Sequence, residues 1–292
     1  MLNLPDHVDN EVVACRKCGG LYLWPAISDE MHTELYGKSY FTGATADDNS
    51  AIGPAARYDF EHDCSQPRFG KFRESVETML RYRPNARSIL DIGAATGDFL
   101  AIARERGLSV VTGIELSSYA AALAKEKYGF EFHQTELSKY PGTEKYDLIH
   151  LNHVFEHFTD PHAALQRIGA LLKPGGLVYV EVPFQFNLIE TTMHKLTGRK
   201  KAFDLFSVHH PVFFRPITLR KIFSDHKFRC VSLRIFGMSR YPTSTLAQQI
   251  KRFVWFAVSL MGQGLFIEAY FEKPEKAKTD AKFGIRTPYK PI

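Results

Sequence analysis

No stretch of the sequence is apolar for the roughly 20 residues that cross a bilayer. The opening MLNLPDHVDNEVVAC also lacks the basic and apolar zones of a secretory signal. Membrane-spanning and exported classes are therefore set aside, and the cytoplasm is the expected compartment. Cysteine is scarce: Cys15, Cys18, Cys64 and Cys230 are the four in 292 residues. Only the first two are close together, which excludes a disulfide scaffold and leaves reduced thiols or a bound metal. Charge of one sign is scarce as well. The net charge is +5, with Lys and Arg spread through the chain, so nothing indicates a nucleic-acid partner. Internal repeats and low-complexity tracts are absent too, and organisation has to come from periodicity and punctuation.

What is present is enough apolar residue, 45%, for one large domain with a small appendage. From residue 88 onward, short apolar runs alternate with helical spacing. Strands are expected over 88–90, 108–114, 130–133, 146–151 and 177–182, with helices over 98–103, 117–128 and 160–172 between them. A helix over 69–82 precedes them. A helix over 216–223, a strand over 228–236, a helix over 245–261 and a last strand over 264–271 follow. The Phe266, Glu268, Tyr270 alternation of that last strand suits a sheet edge. Strict alternation with short connections implies right-handed crossovers. The expected fold is an α/β, doubly wound, mostly parallel seven-stranded Rossmann-like sheet. Three units follow: residues 1–66 as an appendage, helix and linker, 67–273 as the main domain with an insertion at about 184–211, and 274–292 as a loose basic tail.

Ligands of doubly wound sheets bind beyond the carboxyl ends of the strands, so the residues just after each strand carry the functional reading. DIGAATGD, Asp91 to Asp98, is a strand–turn–helix junction. Gly93 and Gly97 allow a sharp turn and a close ligand approach, and Asp91 is expected to point a carboxylate into the crevice. Glu115 after the second strand and Glu136 past the third add two more acids on the same rim. Glu115 is the expected ribose ligand, since two carboxylate oxygens accept two hydroxyl protons. A dinucleotide site would want G-x-G-x-x-G under a pyrophosphate. Here the spacing is Gly93-x-x-x-Gly97, and Asp98 at the helix start would repel phosphate, so a cofactor without phosphate is favoured. Ala95, in the middle of this turn, implies a backbone that avoids positive φ there.

This spacing resembles motif I of the class I S-adenosylmethionine-dependent methyltransferases. Three further blocks extend the likeness over about residues 86–183: GIELSSYAAALAKEKYG, YDLIHLNHVFEHFTDP and LLKPGGLVYVEVP. The resemblance implies S-adenosyl-L-methionine as cofactor and S-adenosyl-L-homocysteine as product. It assigns Asp91, Gly93, Ala94 and Gly97 to the methionine and turn region, Glu115 with Leu116 to the ribose, Glu136 or its neighbours to the adenine, and Asn152 with His153 to the methyl-transfer face. The N-terminal CxxCG-LYLWP pattern and the HPVFF block from His210 resemble a bacterial subgroup that modifies sugars, glycolipids or other small molecules. The implied reaction is methylation of a small-molecule or glycan acceptor, most readily at oxygen. C- or N-methylation of a nucleotide-linked sugar is the alternative, and so is a non-catalytic partner subunit.

A sulfonium methyl is already activated, so the protein has to align a nucleophile and accept one proton. His153, His157, His209 and His210 are candidates, with His153 favoured by position and His210 by its loop. His153-Val-Phe-Glu156-His157 also resembles the E-x-x-E-H stretch by which some quinone-pathway O-methyltransferases hold a divalent ion, with His153 at the first acid. That leaves a divalent metal open, and none is assigned. An H-x-x-E-H peptidase reading is rejected, because the stretch follows a sheet strand rather than lying inside a long helix. Cys15 and Cys18 form half a zinc knuckle. His7, His32, His62 and Cys64 complete it at no recognised spacing, so a remnant is favoured over a filled site. A short helix capped by Ser28 is expected to end near Gly37, followed by a loop over 38–66 carrying Tyr40 and Phe41. Lys195, Arg199, Lys200 and Lys201 suit an anionic acceptor or a solvated charge run. The helix over 245–261, with Phe253, Trp255, Phe256 and Leu260, is expected to cover the sheet. A membrane-surface role beside a lipid-linked acceptor is the alternative. No sequence feature fixes the oligomeric state.

Overall fold

The computed structural model describes residues 11–16, 19–25, 67–188, 191–192, 196, 210–237 and 246–275. The expected Ser28 helix, the loop with Tyr40 and Phe41, Cys18, Cys64, His7, His32, His62, His209, the cationic run from Lys195 to Lys201 and nearly all of the tail lie outside them.

The main sheet contains β3 (Ser88–Ile92), β4 (Val110–Ile114), β5 (Tyr146–Asn152), β6 (Leu172–Pro183), β8 (Arg229–Phe236) and β9 (Phe266–Glu272), in the order β4-β3-β5-β6-β9-β8. β4, β3, β5 and β6 pair in parallel, and β9 runs antiparallel to both of its neighbours. Helices α1 (Pro67–Tyr82), α2 (Asp98–Glu105), α3 (Ser118–Tyr128), α4 (Pro161–Leu171) and α5 (Pro216–Asp225) accompany it. Apolar runs at the centre explain the burial. Ile89, Leu90, Leu148, Ile149, Leu177 and Val178 are fully buried because helices cover both sheet faces. Each such side chain contributes about 1.5–3 kcal/mol by leaving water. α3 has a Ser117 cap accepting from Ala120 N–H and ends on left-handed Gly129. Asp160 caps α4 with Pro161 in its first turn.

Three expectations are corrected. The sheet has six strands rather than seven among the described residues, because 130–133 contracts to one parallel bridge between Ile114 and His133. Phe130 and Phe132 turn inward there to fill the space over Gly97 and Gly113, and the chain then leaves the ladder. The last strand is not an edge. β9 lies between β6 and β8, and its Glu268 is buried against Arg234 Nη2 at 2.7 Å rather than facing solvent. Helix α6 (Leu246–Leu260) does not lay all its apolar residues on the sheet either. Phe253, Val254, Phe256 and Leu260 are exposed, and the helix touches the sheet through edge strand β8.

A second sheet joins β1 (Glu11–Ala14), β2 (Leu21–Trp24) and β7 (Val212–Phe213). β7 comes from the HPVFF block, so the N-terminal hairpin is stitched to the segment that follows the insertion. Leu23 and Phe213 are buried together at this junction, and Arg215 Nη2 donates to Gly19 O at 2.9 Å.

Candidate active site

The carboxyl ends of β3, β4 and β5 form one rim. After β3, the Gly93 and Ala94 amides both donate to Ile114 O, at 2.8 and 3.0 Å, which folds the turn back over the end of β4. Gly93 and Gly97 have φ of 74° and 81°. Their missing Cβ atoms are demanded by the protein itself: at Gly93 one would lie 2.4 Å from Val154 Cγ2, and at Gly97 3.1–3.2 Å from Phe130, Ala124 and Phe132. Ala95 corrects the expectation that its backbone avoids positive φ, since its φ is 46°. The strained conformation is held because Ala95 N–H donates to Glu115 Oε2 at 2.8 Å. Glu115 Oε1 accepts from Ser117 N–H at 2.8 Å. One buried carboxylate thus ties the first turn to the start of α3, and each oxygen retains a further lone pair for a hydroxyl. Burial pushes its pKa up against those amide bonds. Leu116 is half-buried beside it.

Asp91 does not open into the crevice. Its Oδ1 lies 2.7 Å from His150 Nδ1, and both groups are buried. Burial raises the Asp91 pKa, with the His150 contact opposing. The His150 ring is clamped between Phe99, 3.5 Å away and nearly parallel, and Tyr179 at 4.8 Å. Asp98 is corrected as well: Lys127 Nζ at 2.9 Å and Tyr128 Oη at 2.5 Å hold its carboxylate, so it presents no bare charge to a ligand. The case against a pyrophosphate then rests on the glycine spacing alone. Glu136 is half-buried past the His133 bridge, with Ser138 Oγ and Lys139 Nζ on its carboxylate.

β5 supplies the opposite wall. Asn152 is half-buried, and its buried Oδ1 has no hydrogen-bond partner among the described residues. His153 follows in left-handed conformation, φ 55°, its N–H bonded to Glu181 O at 2.9 Å. Its Nε2 lies 3.2 Å from Glu181 Oε1 and its Nδ1 3.5 Å from Glu156 Oε1. Burial pulls the His153 imidazolium down, but the two carboxylates outweigh it and hold the pKa at about 9. Glu181, fully buried on β6, also pairs with Lys71 of α1 and accepts from Tyr179 Oη at 2.8 Å. Burial raises its pKa, yet Lys71 and His153 bring it to about 2. Glu156, His157 and His210 gather beside His153, and the rings of His157 and His210 are 4.8 Å apart.

The structure therefore brings Gly93, Ala94, Gly97, Glu115 and Leu116 to one lip and Asn152, His153, His157 and His210 to the other, with Asp91 beneath and Glu136 to the side. Sequence reasoning missed Lys71, His150, Glu181 and the Glu268–Arg234 pair. A lone acid inside the apolar run LVYVEVP was a readable signal for Glu181. Nothing in α1 marked Lys71, because its partner is 110 residues away.

A family model described as a methyltransferase domain matches residues 66–233, more than half of the chain. Two curated relatives are similar over shorter spans. The C-methyltransferase NovU of Streptomyces niveus is 28% identical over 151 residues, 50% of this chain and 33% of NovU. The demethylmenaquinone methyltransferase of Chlorobaculum parvum is 31% identical over 97 residues, 32% of this chain and 40% of that protein. The matches thus span less than half the length of these relatives. Among solved structures, the plantazolicin methyltransferase BpumL, in complex with a triazolic desmethyl analogue and SAH, shares the fold. Its TM-score is 0.54 at 16% identity, covering 84% of this chain and 97% of that one. With the matched domain spanning the whole rim, the chain belongs to the methyltransferase-domain family and has the Rossmann-like fold of class I S-adenosylmethionine-dependent methyltransferases.

Proposed function

We propose that this protein transfers a methyl group from S-adenosyl-L-methionine to a small-molecule or glycan-type acceptor in the cytoplasm, at oxygen. The observation that carries this reading is the meeting of two turns. The Gly93–Gly97 turn is cinched to Glu115, and it packs through Gly93 against Val154, directly after the Asn152-His153 pair. Asn152 Oδ1, buried and without a hydrogen-bond partner among the described residues, is an acceptor that a polar ligand in this crevice would satisfy. The residues fit the cofactor: Glu115 has lone pairs for ribose hydroxyls, the turn and Ala94 would line its amino-acid end, and Glu136 or its neighbours would border the base. The cofactor supplies an activated methyl on sulfur.

The chain's own contribution is alignment and proton handling. His153, fixed by Glu181 through both its backbone N–H and its ring, faces the acceptor as a charged or hydrogen-bonding contact. Held by the Gly93–Gly97 turn, Ala94 and Glu115, the cofactor would supply the methyl, and the acceptor oxygen that takes it must give up its proton. The hydroxyl proton passes to His157 or His210, or to His153 in its neutral form, since the charged ring that Glu181 and Glu156 favour cannot accept one. The exposed aromatic face of α6 and the cationic insertion would suit an acceptor that is anionic or lipid-linked.

C-methylation, which the likeness to NovU favours, and N-methylation of a nucleotide-linked sugar are the runner-up reactions. Calorimetry with S-adenosylhomocysteine and with NAD, followed by transfer of labelled methyl into cell extract, tests the reading. Binding of S-adenosylhomocysteine and a base-labile labelled ester or an acid-stable ether supports O-methylation. A label on carbon favours the runner-up, binding without any labelled product favours a non-catalytic subunit, and binding of NAD alone refutes the proposal.

A further inference from the structure

Beside His153, three side chains from two distant segments converge. Glu156 and His157 belong to the single helical turn Phe155–His157 after β5, and His210 lies just before β7. One possible ligand atom from each sits within 4.8 Å of those of the other two. Glu156 is 1% exposed, and neither of its oxygens has a hydrogen-bond partner among the described residues. The imidazole nitrogens at 3.5 Å (His153) and 3.9 Å (His157) do not form hydrogen bonds to it. A carboxylate withdrawn from water without such bonds costs several kcal/mol, and a cation held between it and the two imidazoles removes that cost.

His210 carries the outer support that ligating imidazoles usually have. Its Nδ1 lies 3.0 Å from Gln185 Oε1, and a ring that donates there from Nδ1 can ligate an ion through Nε2. Two imidazoles and one carboxylate suit Zn²⁺ and its first-row neighbours, whereas Mg²⁺ and Ca²⁺ prefer oxygen alone. In a tetrahedral shell with bonds of about 2.0–2.1 Å, ligand atoms stand about 3.3 Å apart. The observed separations reach 4.8 Å, so an ion would draw the two half-buried imidazoles inward.

We propose that Glu156, His157 and His210 form a binding site for one divalent ion of the zinc type, with a coordination position left open beside the acceptor face. The set differs from the one implied by the likeness to E-x-x-E-H. His153, which stands at that pattern's first acid, is engaged by Glu181, and His210 from the far side of the insertion takes its place. The position beside an acceptor rests on the proposed function, and there the ion turns His157 and His210 from proton acceptors into ligands. Ion binding itself does not depend on methyl transfer.

The full-length protein, stripped with a chelator, is titrated with Zn²⁺ and Co²⁺ by calorimetry and visible absorption, with circular dichroism confirming that each variant is folded. Wild type takes up one equivalent with the visible bands of a nitrogen- and oxygen-ligated Co²⁺. A Cys15→Ser/Cys18→Ser variant keeps this, which excludes the N-terminal thiols. His153→Ala keeps it too, while Glu156→Gln and His210→Ala each weaken binding about tenfold or more. Loss of all binding in the double cysteine variant, wild-type affinity in His210→Ala, or a loss confined to His153→Ala overturns the assignment. Methyl transfer without ion uptake refutes this site alone, and ion uptake without methyl transfer refutes the proposed function alone.

Discussion

Gly93→Ala tests whether the cofactor turn and the β5 turn are packed as one unit. The substituted alanine would keep φ near 74°, and a left-handed alanine costs about 1–2 kcal/mol. Its Cβ would also lie 2.4 Å from Val154 Cγ2, about 1 Å inside ordinary contact. Val154 is β-branched and sits in a non-helical turn at φ −132°, so it yields poorly, and such overpacking costs about 1–3 kcal/mol. The two terms together give about 2–5 kcal/mol. Val154→Ala removes both Cγ atoms and leaves its Cβ at 3.6 Å, an ordinary contact. In the double variant the steric part should vanish and the backbone part remain. Urea unfolding of the four proteins therefore yields a coupling energy of about 1–3 kcal/mol in the direction of rescue. Calorimetry with S-adenosylhomocysteine should show the single Gly93→Ala variant binding weakly and the double variant recovering most of the affinity. Additivity within about 0.5 kcal/mol would refute the contact, and with it the reading of the two turns as one floor.

Glu115→Ala should destabilise the protein by about 1–3 kcal/mol, since it orphans the half-buried Ala95 amide and the buried Ser117 amide, and should cut S-adenosylhomocysteine affinity. Unchanged affinity in a folded variant would remove Glu115 from the ribose role. Glu181→Gln leaves Lys71 and His153 without their shared carboxylate and is expected to cost about 3–5 kcal/mol. Chemical denaturation reads this, and a loss below about 1 kcal/mol contradicts a buried ion network. Phe253→Ser with Phe256→Ser on the exposed face of α6 should change stability by less than about 0.5 kcal/mol per residue. If the acceptor is lipid-linked, the same pair should lower flotation with anionic vesicles, and a stability loss of several kcal/mol would mean that the face is packed. Ala95→Gly relieves the left-handed strain at some entropic cost and should leave stability within about 1 kcal/mol of wild type. Cofactor affinity should not fall, and a marked loss would show that the Cβ itself is needed.

The sequence by itself determined the alternation of strands and helices, the parallel sheet and the place of the rim. Apolar runs such as Ser88-Ile89-Leu90 and the turn DIGAATGD are local signals, and both faces of a parallel strand must be apolar when helices cover them. Glu115 was legible for the same reason, since its position after β4 follows from strand order alone. The tertiary structure decided what each polar group pairs with. Asp91 turned to His150 and Asp98 to Lys127, because desolvated carboxylates take the nearest donor that folding delivers. Ala95 entered left-handed backbone because a carboxylate twenty residues away rewards the strained amide. The edge assignment failed at β9 because an alternating polar residue marks solvent only when no partner arrives, and Arg234 arrives from β8. Lys71, Glu181 and His153 meet from three elements separated by up to 110 residues, and no periodicity spans such distances. The convergence of His210 on Glu156 and His157 is of the same kind: residue type can be read along the chain, but contact between its distant parts follows only from the packed sheet.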